Sequence, residues 1–151
     1  MTCYRQYFPI YRLFCHKFPI IVPPDMSKKS IGFTGQRIIE VPVAVVKKCQ
    51  ELPLIRNLFI TKMGLYPKAK HHYFQRPKGS LYTILIHCTD GEGWIKMPDT
   101  KIPLRAGEVY VIPSGVPHSY GSNTHNPWTI YWLHLTGGSC NETIQPHSYD
   151  G

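Results

Sequence analysis

A proline-rich turn followed by a histidine and a tyrosine is the first place in this sequence where side chains with binding chemistry stand at a defined spacing. Residues 107–121 read GEVYVIPSGVPHSYG, so an apolar strand runs into a turn that its prolines and glycine enforce. His118 and Tyr120 then follow two residues apart, which places an imidazole and a phenol on one face of the next strand. The pair can bind a ligand, or it can be the polar tips of a half-buried strand that meet backbone partners.

Two further groups of side chains are expected to meet this pair in one pocket. Residues 76–79, RPKG, form a turn that leads into an apolar strand. Residues 127–135, PWTIYWLHL, alternate along a strand, and one face carries Trp128, Ile130, Trp132 and His134. A lone strand tryptophan is usually a core residue, so the convergence of the three groups is what favours a binding site.

The elements that must position these groups are short strands. Runs rich in β-branched and aromatic residues recur at regular spacing between turns that contain Gly or Pro, with no long helix between them. The predicted strands cover residues 58–62, 70–75, 81–88, 94–97, 100–104, 108–112, 118–120 and 129–135. A turn at 64–67 joins the first two, and residues 94–97 return on 81–88 as an antiparallel hairpin. Together with one helical turn expected within residues 43–52, the pattern predicts an all-β fold, a jelly-roll barrel or a sandwich.

The spacing within the proline-rich turn resembles the second motif of the cupin superfamily of small β-barrels, at Gly107, Pro113, Gly115 and His118. From about residue 58 to 137 the order of motifs is similar to the sensor domain of AraC-type transcription regulators: RPxG, a strand ending near GxG, the turn with PHxYG, then PWxxxW. The resemblance implies a cupin-type jelly-roll barrel that binds a small effector, often a sugar, without metal. It also implies an N-terminal arm that folds over the ligand, here residues 31–46, and a separate helix-turn-helix domain that reads DNA.

Carried over position by position, the resemblance implies ligand contacts from Arg76, Tyr120 and Trp132. The chemistry agrees, because a guanidinium offers forked donors to hydroxyls or a carboxylate and a phenol offers one more hydrogen bond. An indole face covers the apolar face of a pyranose.

Three further positions complete the expected ligand site. Ile130 stands where the arabinose regulator has a histidine two residues before its tryptophan, so arabinose itself is not the expected effector. The effector-binding threonine of the family falls near Thr61 or Lys62. His118 is expected in the pocket wall, and a satisfied core histidine is the alternative for it.

A metal-dependent cupin enzyme is the alternative function, and it needs three or four His or Glu ligands at suitable spacing. His71 and His72 are adjacent, so they point to opposite faces of a strand, and no Glu follows closely. His118 alone is one well-placed ligand, and no nucleophile–base pair or phosphate-binding glycine loop occurs. The sequence therefore predicts no metal, no cofactor and no enzyme activity.

Composition and charge agree with a single soluble domain. The chain has 151 residues, of which 42% are hydrophobic, and no apolar run reaches the length of a membrane span. Five cysteines form no C-x-x-C pair, which favours a reducing cytoplasm. The net charge is +8, yet every Lys and Arg lies at or before Arg105, mostly singly or in isolated pairs. This distribution predicts a solvated basic face rather than a nucleic-acid groove.

The chain divides into four expected segments. Residues 1–30 are a poorly structured extension with a second candidate start at Met26, 31–53 an N-terminal arm, 54–137 the cupin domain and 138–151 a tail. Nothing after the cupin domain has the pattern of a helix-turn-helix. The sequence therefore predicts the effector-binding domain of an AraC-type regulator without its DNA-binding half. The expected partners are a saccharide effector, operator DNA only through the missing domain, and a second copy in the complete regulator, with no membrane contact. A stand-alone sugar-binding cupin is a further alternative.

Overall fold

The computed structural model describes residues 27–140, which form nine β-strands and one short α-helix. In chain order the elements are β1 (Arg37–Glu40), α1 (Val43–Glu51), β2 (Phe59–Tyr66), β3 (Tyr73–Arg76), β4 (Thr83–Asp90), β5 (Glu92–Lys96), β6 (Lys101–Arg105), β7 (Val109–Ile112), β8 (His118–Ser122) and β9 (Thr129–Thr136). The strands pair antiparallel in a five-stranded sheet, ordered β1-β2-β9-β4-β7, and a four-stranded sheet, ordered β3-β8-β5-β6. This architecture confirms the predicted all-β jelly-roll barrel. Of the extension expected at residues 1–30 and the tail expected at residues 138–151, residues 1–26 and 141–151 lie outside the described residues.

The apolar core lies between the two sheets, because alternate residues of each strand point inward. In β9, Ile130 and Trp132 are buried, while Tyr131 between them is 50% exposed. The largest fully buried side chains are Trp128, Ile84, Ile86, Ile95, Leu104, Ile112, Ile130, Thr83 and Cys88. They come from both sheets, so burial of this apolar surface holds the two layers together.

The proline-rich turn packs against the turn that precedes β4. Gly79 and Gly115 both have a φ of 76°, a left-handed conformation that glycine adopts readily. The Gly115 N–H donates to the carbonyl oxygen of Ser80 at 2.8 Å. β3 and β8 then run antiparallel, with Arg76 directly opposite His118. The two turns therefore set the register that brings the arginine to the start of β8.

The predicted hairpin between residues 81–88 and 94–97 is wrong. The first segment becomes β4 of the five-stranded sheet, and the second becomes β5, which pairs with β6 and β8 in the other sheet. Both edges of β4 are occupied by β7 and β9, so no edge is free for β5. The chain changes sheets at Gly91, where φ is 71° and an added Cβ would lie 2.4 Å from the Pro127 carbonyl oxygen.

The turn predicted at residues 64–67 is also misplaced. β2 continues through Tyr66, and the chain turns later, where Lys68 and His71 have φ values of 38° and 63°. Gly64 lies directly opposite Trp132 of β9, and an added Cβ would lie 2.5 Å from the indole Cζ2. This glycine therefore marks a close approach between strands and not a turn.

The helix expected within residues 43–52 is present as α1, which is longer than the single turn predicted. None of its residues is buried. Within residues 27–140, no helix has the length and apolar character that crossing a bilayer requires.

We expect Gly64→Ala to lower the free energy of unfolding by about 1–3 kcal/mol, because the new methyl group overlaps the Trp132 ring and forces a strand to shift. Urea denaturation measures this change. The matched control is Gly138→Ala, whose Cβ would meet Asn57 Oδ1 at 3.1 Å, an atom at the movable end of its side chain. Equal losses in the two variants would contradict the packing role of Gly64.

Candidate functional site

A cavity of about 260 Å³ lies between the two sheets. Its volume is slightly below the roughly 300–1,000 Å³ of typical small-molecule pockets, so it suits a small ligand. The described residues that line it are Ser30, Ile31, Ile38, Lys62, Tyr66, His72, Phe74, Arg76, Tyr82, Ile86, Tyr120, Ile130, Trp132 and His134. Half of these fourteen residues carry aromatic rings, and polar groups of different chemistry lie among them.

Arg76, the last residue of β3, is the cationic centre of this cavity. Its Nη1 donates to the Tyr120 hydroxyl oxygen at 3.1 Å, and its Nη2 donates to the Tyr82 hydroxyl oxygen at 3.2 Å. The guanidinium carbon lies 4.0 Å from the centroid of the Phe74 ring, which is a favourable cation–π geometry. No acidic side chain of residues 27–140 forms a salt bridge with Arg76. The guanidinium is therefore oriented by neutral groups and keeps its full charge available.

The protonation states of this cluster follow from burial. Burial raises the pKa of Tyr120, against the lowering effect of the Arg76 charge. Burial alone would lower the pKa of Arg76, but its tyrosine partners raise it above the ordinary value. At neutral pH the Tyr120 phenol is neutral and the arginine is charged. Because each phenol oxygen accepts from Arg76, each phenol keeps its own O–H hydrogen to donate.

His72 supplies a further donor at the cavity wall. The indole N–H of Trp128 donates to His72 Nδ1 at 3.2 Å, and an indole nitrogen can only donate. Burial, with a smaller contribution from the Arg76 charge, lowers the pKa of His72 from 6.5 to about 4. The ring is therefore neutral at neutral pH with its proton on Nε2. That N–H has no acceptor among the described residues.

Trp132 and His134 form the wall provided by β9. The His134 ring stacks on Tyr82 with centroids 4.0 Å apart, and lies 4.9 Å from the Trp132 ring. Burial, then the charges of Arg76 and Lys62, lower the pKa of His134 from 6.5 to about 4. The Trp132 Nε1 atom is buried and has no hydrogen-bond partner within residues 27–140. A buried donor without a partner is destabilising.

Residues 29–33, which we call the cover segment, close one side of the cavity. The Lys29 N–H donates to the His71 carbonyl oxygen at 3.0 Å, and the Lys29 carbonyl oxygen accepts from the Tyr73 N–H at 3.0 Å. These two bonds attach the segment to the backbone on both sides of His72.

Side chains of the cover segment also reach inward. Ser30 and Ile31 line the cavity. Phe33 is only 5% exposed, and its ring lies 5.1 Å from that of His72. The cover segment is thus anchored in the core by Phe33 and held at its start by backbone hydrogen bonds.

The structure brings together most of the residues that the sequence nominated. The cavity wall includes Arg76, Tyr120, Ile130 and Trp132. They come from β3, β8 and β9, so the three groups of the sequence do converge on one cavity. Whether a ligand contacts them is taken up below as part of the proposed function.

His118 and Thr61 lie outside the cavity wall. His118 Nδ1–H donates to the Val116 carbonyl oxygen at 2.7 Å, so its Nε2 is the acceptor that lies 3.5 Å from Arg76 Nη1. Burial chiefly lowers the pKa of His118. The ring is therefore neutral, and it lies beside the Arg76 guanidinium. The Thr61 hydroxyl donates to the backbone oxygen of His134 at 3.4 Å. The β-bulge at this point of β2 changes the side-chain alternation, and Lys62 lines the cavity instead.

Among the ring-bearing residues of the cavity wall, sequence reasoning missed Tyr66, His72, Phe74 and Tyr82. The two-residue period of strands could have found two of them, because His72 and Phe74 fall on the same face as Arg76. Tyr82 likewise shares the parity of Ile86 on β4. On the sequence alone, His72 enters only as a possible metal ligand beside His71. In the described part of the chain, no three His, Cys, Asp or Glu side chains are grouped as a metal site requires.

We expect the free energy of unfolding to fall as pH drops from about 6.5 towards 4. A histidine whose folded pKa is lowered binds its proton mainly in the unfolded state, so its contribution is complete above the unfolded pKa of 6.5 and is lost below it. The loss is on the order of 3 kcal/mol for His72, and His134 adds to it. Chemical denaturation between pH 7 and pH 4 measures the slope.

His72→Gln should flatten this pH dependence, while His125→Gln, at an exposed histidine, should leave it unchanged. Parallel curves for the wild-type protein and His72→Gln would show that His72 is not the group that titrates.

Comparison with known proteins places the chain in a family. Residues 63–148 match the family described as the AraC-like ligand binding domain. The chain is 30% identical over 105 residues to the MmsAB operon regulatory protein of Pseudomonas aeruginosa. The aligned region covers 67% of this chain and 34% of that protein. It is 28% identical over 71 residues to the lactose operon transcription activator of Staphylococcus xylosus, covering 47% of this chain and 24% of that protein. The chain thus spans about a third or less of these regulators.

Solved structures similar to this one include cupin domains. A cupin-2 domain protein from Shewanella frigidimarina is 18% identical, with a TM-score of 0.44 over 71% of this chain and 83% of that one. The cupin domain of Cnp3 from Schizosaccharomyces pombe is 14% identical, with a TM-score of 0.43 over 60% and 64%. The match over residues 63–148 covers more than half of the sequence, and the chain belongs to the family of AraC-like ligand-binding domains.

Proposed function

We propose that this chain is the effector-sensing domain of an AraC-type transcription regulator and that its effector binds in the cavity around Arg76. The observation that carries the proposal is the Arg76 guanidinium in the cavity wall, which two phenol oxygens orient and which forms no salt bridge within residues 27–140. A partly buried charge of this kind is stabilised when a ligand supplies its hydrogen-bond partners. Family membership and the names of both relatives support a regulatory role.

The cavity wall presents both hydrogen-bond donors and an aromatic surface to a ligand. Arg76, Tyr82 and Tyr120 present hydrogen-bond donors that are already oriented, so little rotational freedom is lost when a ligand arrives. Trp132 and Tyr66, with ring centroids 5.5 Å apart, present an aromatic surface. In this proposal the effector is a saccharide or a sugar derivative, because ring faces suit the C–H face of a sugar while its hydroxyls meet the donors.

The effector controls the domain through the cover segment in this proposal. Ser30 and Ile31 line the cavity, so a bound molecule touches the cover segment between its two attachments, the backbone hydrogen bonds of Lys29 and the buried Phe33 ring. Binding then shifts the population towards the closed position of the segment and of the arm that overlaps it, residues 31–46. The released or retained arm is the signal that the rest of a regulator reads.

Operator recognition belongs to a separate helix-turn-helix domain in this proposal, since the chain spans about a third or less of the regulators it resembles. A homodimer is the expected state of the complete regulator. The cysteine pattern favours a cytoplasmic location. The domain binds and releases its effector without chemical change.

A thermal-shift screen with mono- and oligosaccharides tests the effector class. At a hundredfold excess over Kd, a matching sugar should raise the melting temperature by roughly 5–10 °C, because it binds only the folded state. Trp132→Ala should abolish the shift, and Trp132→Phe, which keeps a smaller aromatic ring, should weaken it. A shift that survives both substitutions would place the sugar outside this cavity.

Hydrogen exchange tests the role of the cover segment. The amides of Lys29 and Tyr73, which form the bonds to the cover segment, should exchange more slowly with effector bound. Amides of the β5–β6 hairpin at the far edge of the four-stranded sheet serve as the internal control and should not change. Unchanged exchange at the cover segment with a saturating effector would rule out the proposed closure.

A further inference from the structure

Resting on the proposed function, we infer that the effector carries a carboxylate, and that the Arg76 guanidinium is the group that recognises it. The inference concerns the chemical class of the ligand, a sugar acid or hydroxy acid with one negative charge. It follows from the balance of hydrogen-bond donors, acceptors and charges around the cavity.

Donors outnumber acceptors in the cavity wall. The lining residues of the described chain include no Asp, Glu, Asn or Gln, so the side-chain acceptors for sugar hydroxyls are limited to hydroxyl oxygens and neutral imidazole nitrogens. Donors that form no hydrogen bond to an acceptor among residues 27–140 include the O–H groups of Tyr82 and Tyr120 and the Nε2–H of His72. A neutral sugar donates as many hydrogens as it has hydroxyls, and these would compete for the few acceptors of the wall. A carboxylate only accepts, which complements the wall.

The charge of the cavity is also unbalanced. Lys62 pairs with Glu40 at 3.1 Å, whereas Arg76 pairs with no carboxylate of the described residues. An uncompensated charge in a partly buried position is unfavourable. The same charge helps to keep His72 and His134 neutral. One unpaired guanidinium matches a ligand with one negative charge better than a phosphate ester, which carries nearly two.

The geometry of Arg76 fits a carboxylate in particular. Its outer nitrogens Nη1 and Nη2 are each held by a phenol oxygen, and the plane rests on the Phe74 ring. A guanidinium has five N–H donors in a fixed fork, so donors are left for a second acceptor. The phenol O–H groups stand beside the guanidinium nitrogens and can donate to the same carboxylate.

Calorimetric titration with matched pairs of ligands tests this inference. The probes are D-glucuronate against D-glucose, D-galacturonate against D-galactose, and D-gluconate against D-sorbitol, with D-glucose 6-phosphate as the phosphate arm. We expect at least one acid to bind the wild-type domain about tenfold or more tightly than its neutral partner, as a charge-assisted hydrogen bond provides.

Three variants assign the preference to Arg76. Arg76→Gln should reduce the preference for the acid to about onefold, and Arg76→Lys, which keeps the charge without the fork, should retain part of it. Arg105→Gln makes the same change at an exposed arginine of β6 and should leave the preference intact. Circular dichroism and ligand-free melting confirm that each variant is folded, and the wild-type comparison of pairs decides the matter if Arg76→Gln is not.

The outcomes separate this inference from the proposed function. Neutral sugars that bind as tightly as their acids, with binding lost in Trp132→Ala, would overturn the carboxylate and leave the sensing function standing. Tighter binding of the phosphate ester would overturn the carboxylate as well. Failure of every probe to bind, or binding that ignores both Arg76 and Trp132, would overturn the carboxylate inference and the sugar-sensing proposal together.

Discussion

The position of the Arg76 guanidinium governs the rest of the site. It is fixed by neutral partners from both sheets: Tyr120 on β8, His118 behind it, and Tyr82 at the start of β4. Because none of these partners carries a charge, the positive potential extends into the cavity. It contributes to the neutral state of the two cavity histidines. Among residues 27–140 this charge has no carboxylate partner, and it adds to the larger effect of burial on the protonation of both histidines.

Large aromatic side chains fill the space beside glycines, which have no side chain of their own. Trp132 lies over Gly64, and Trp128 lies where a Cβ on Gly93 would be 2.0 Å from its ring. The rings bring the strands close enough for the Trp128 indole to reach His72. Core packing and the cavity wall are therefore one continuous aromatic cluster, in which fold stability and the shape of the site depend on the same residues.

Sequence reasoning recovered the parts of the fold that local chemistry determines. Glycine and proline set the turns at Gly79 and Gly115, and these turns fix the register of Arg76 against His118. The sheet to which β5 belongs could not be predicted in this way, because strand pairing across sheets depends on which edges are already occupied. Thr61 was displaced by a β-bulge that leaves no signature in residue type. The cover segment has no strand or helix period, so its place beside His72 depends on tertiary contacts alone.

The attachment of the cover segment has a thermodynamic consequence. Its first residue is joined to the main chain on both sides of His72, while the imidazole of His72 faces the ligand space. In the proposed function, occupancy of the cavity and closure of the segment would therefore be coupled over the distance of one residue, with no relay through the core. Linkage is reciprocal, so any macromolecular surface that captured residues 29–33 would weaken retention of the small molecule by the same factor. Capture of residues 29–33 by a protein partner and release of the small molecule would then be two descriptions of one equilibrium.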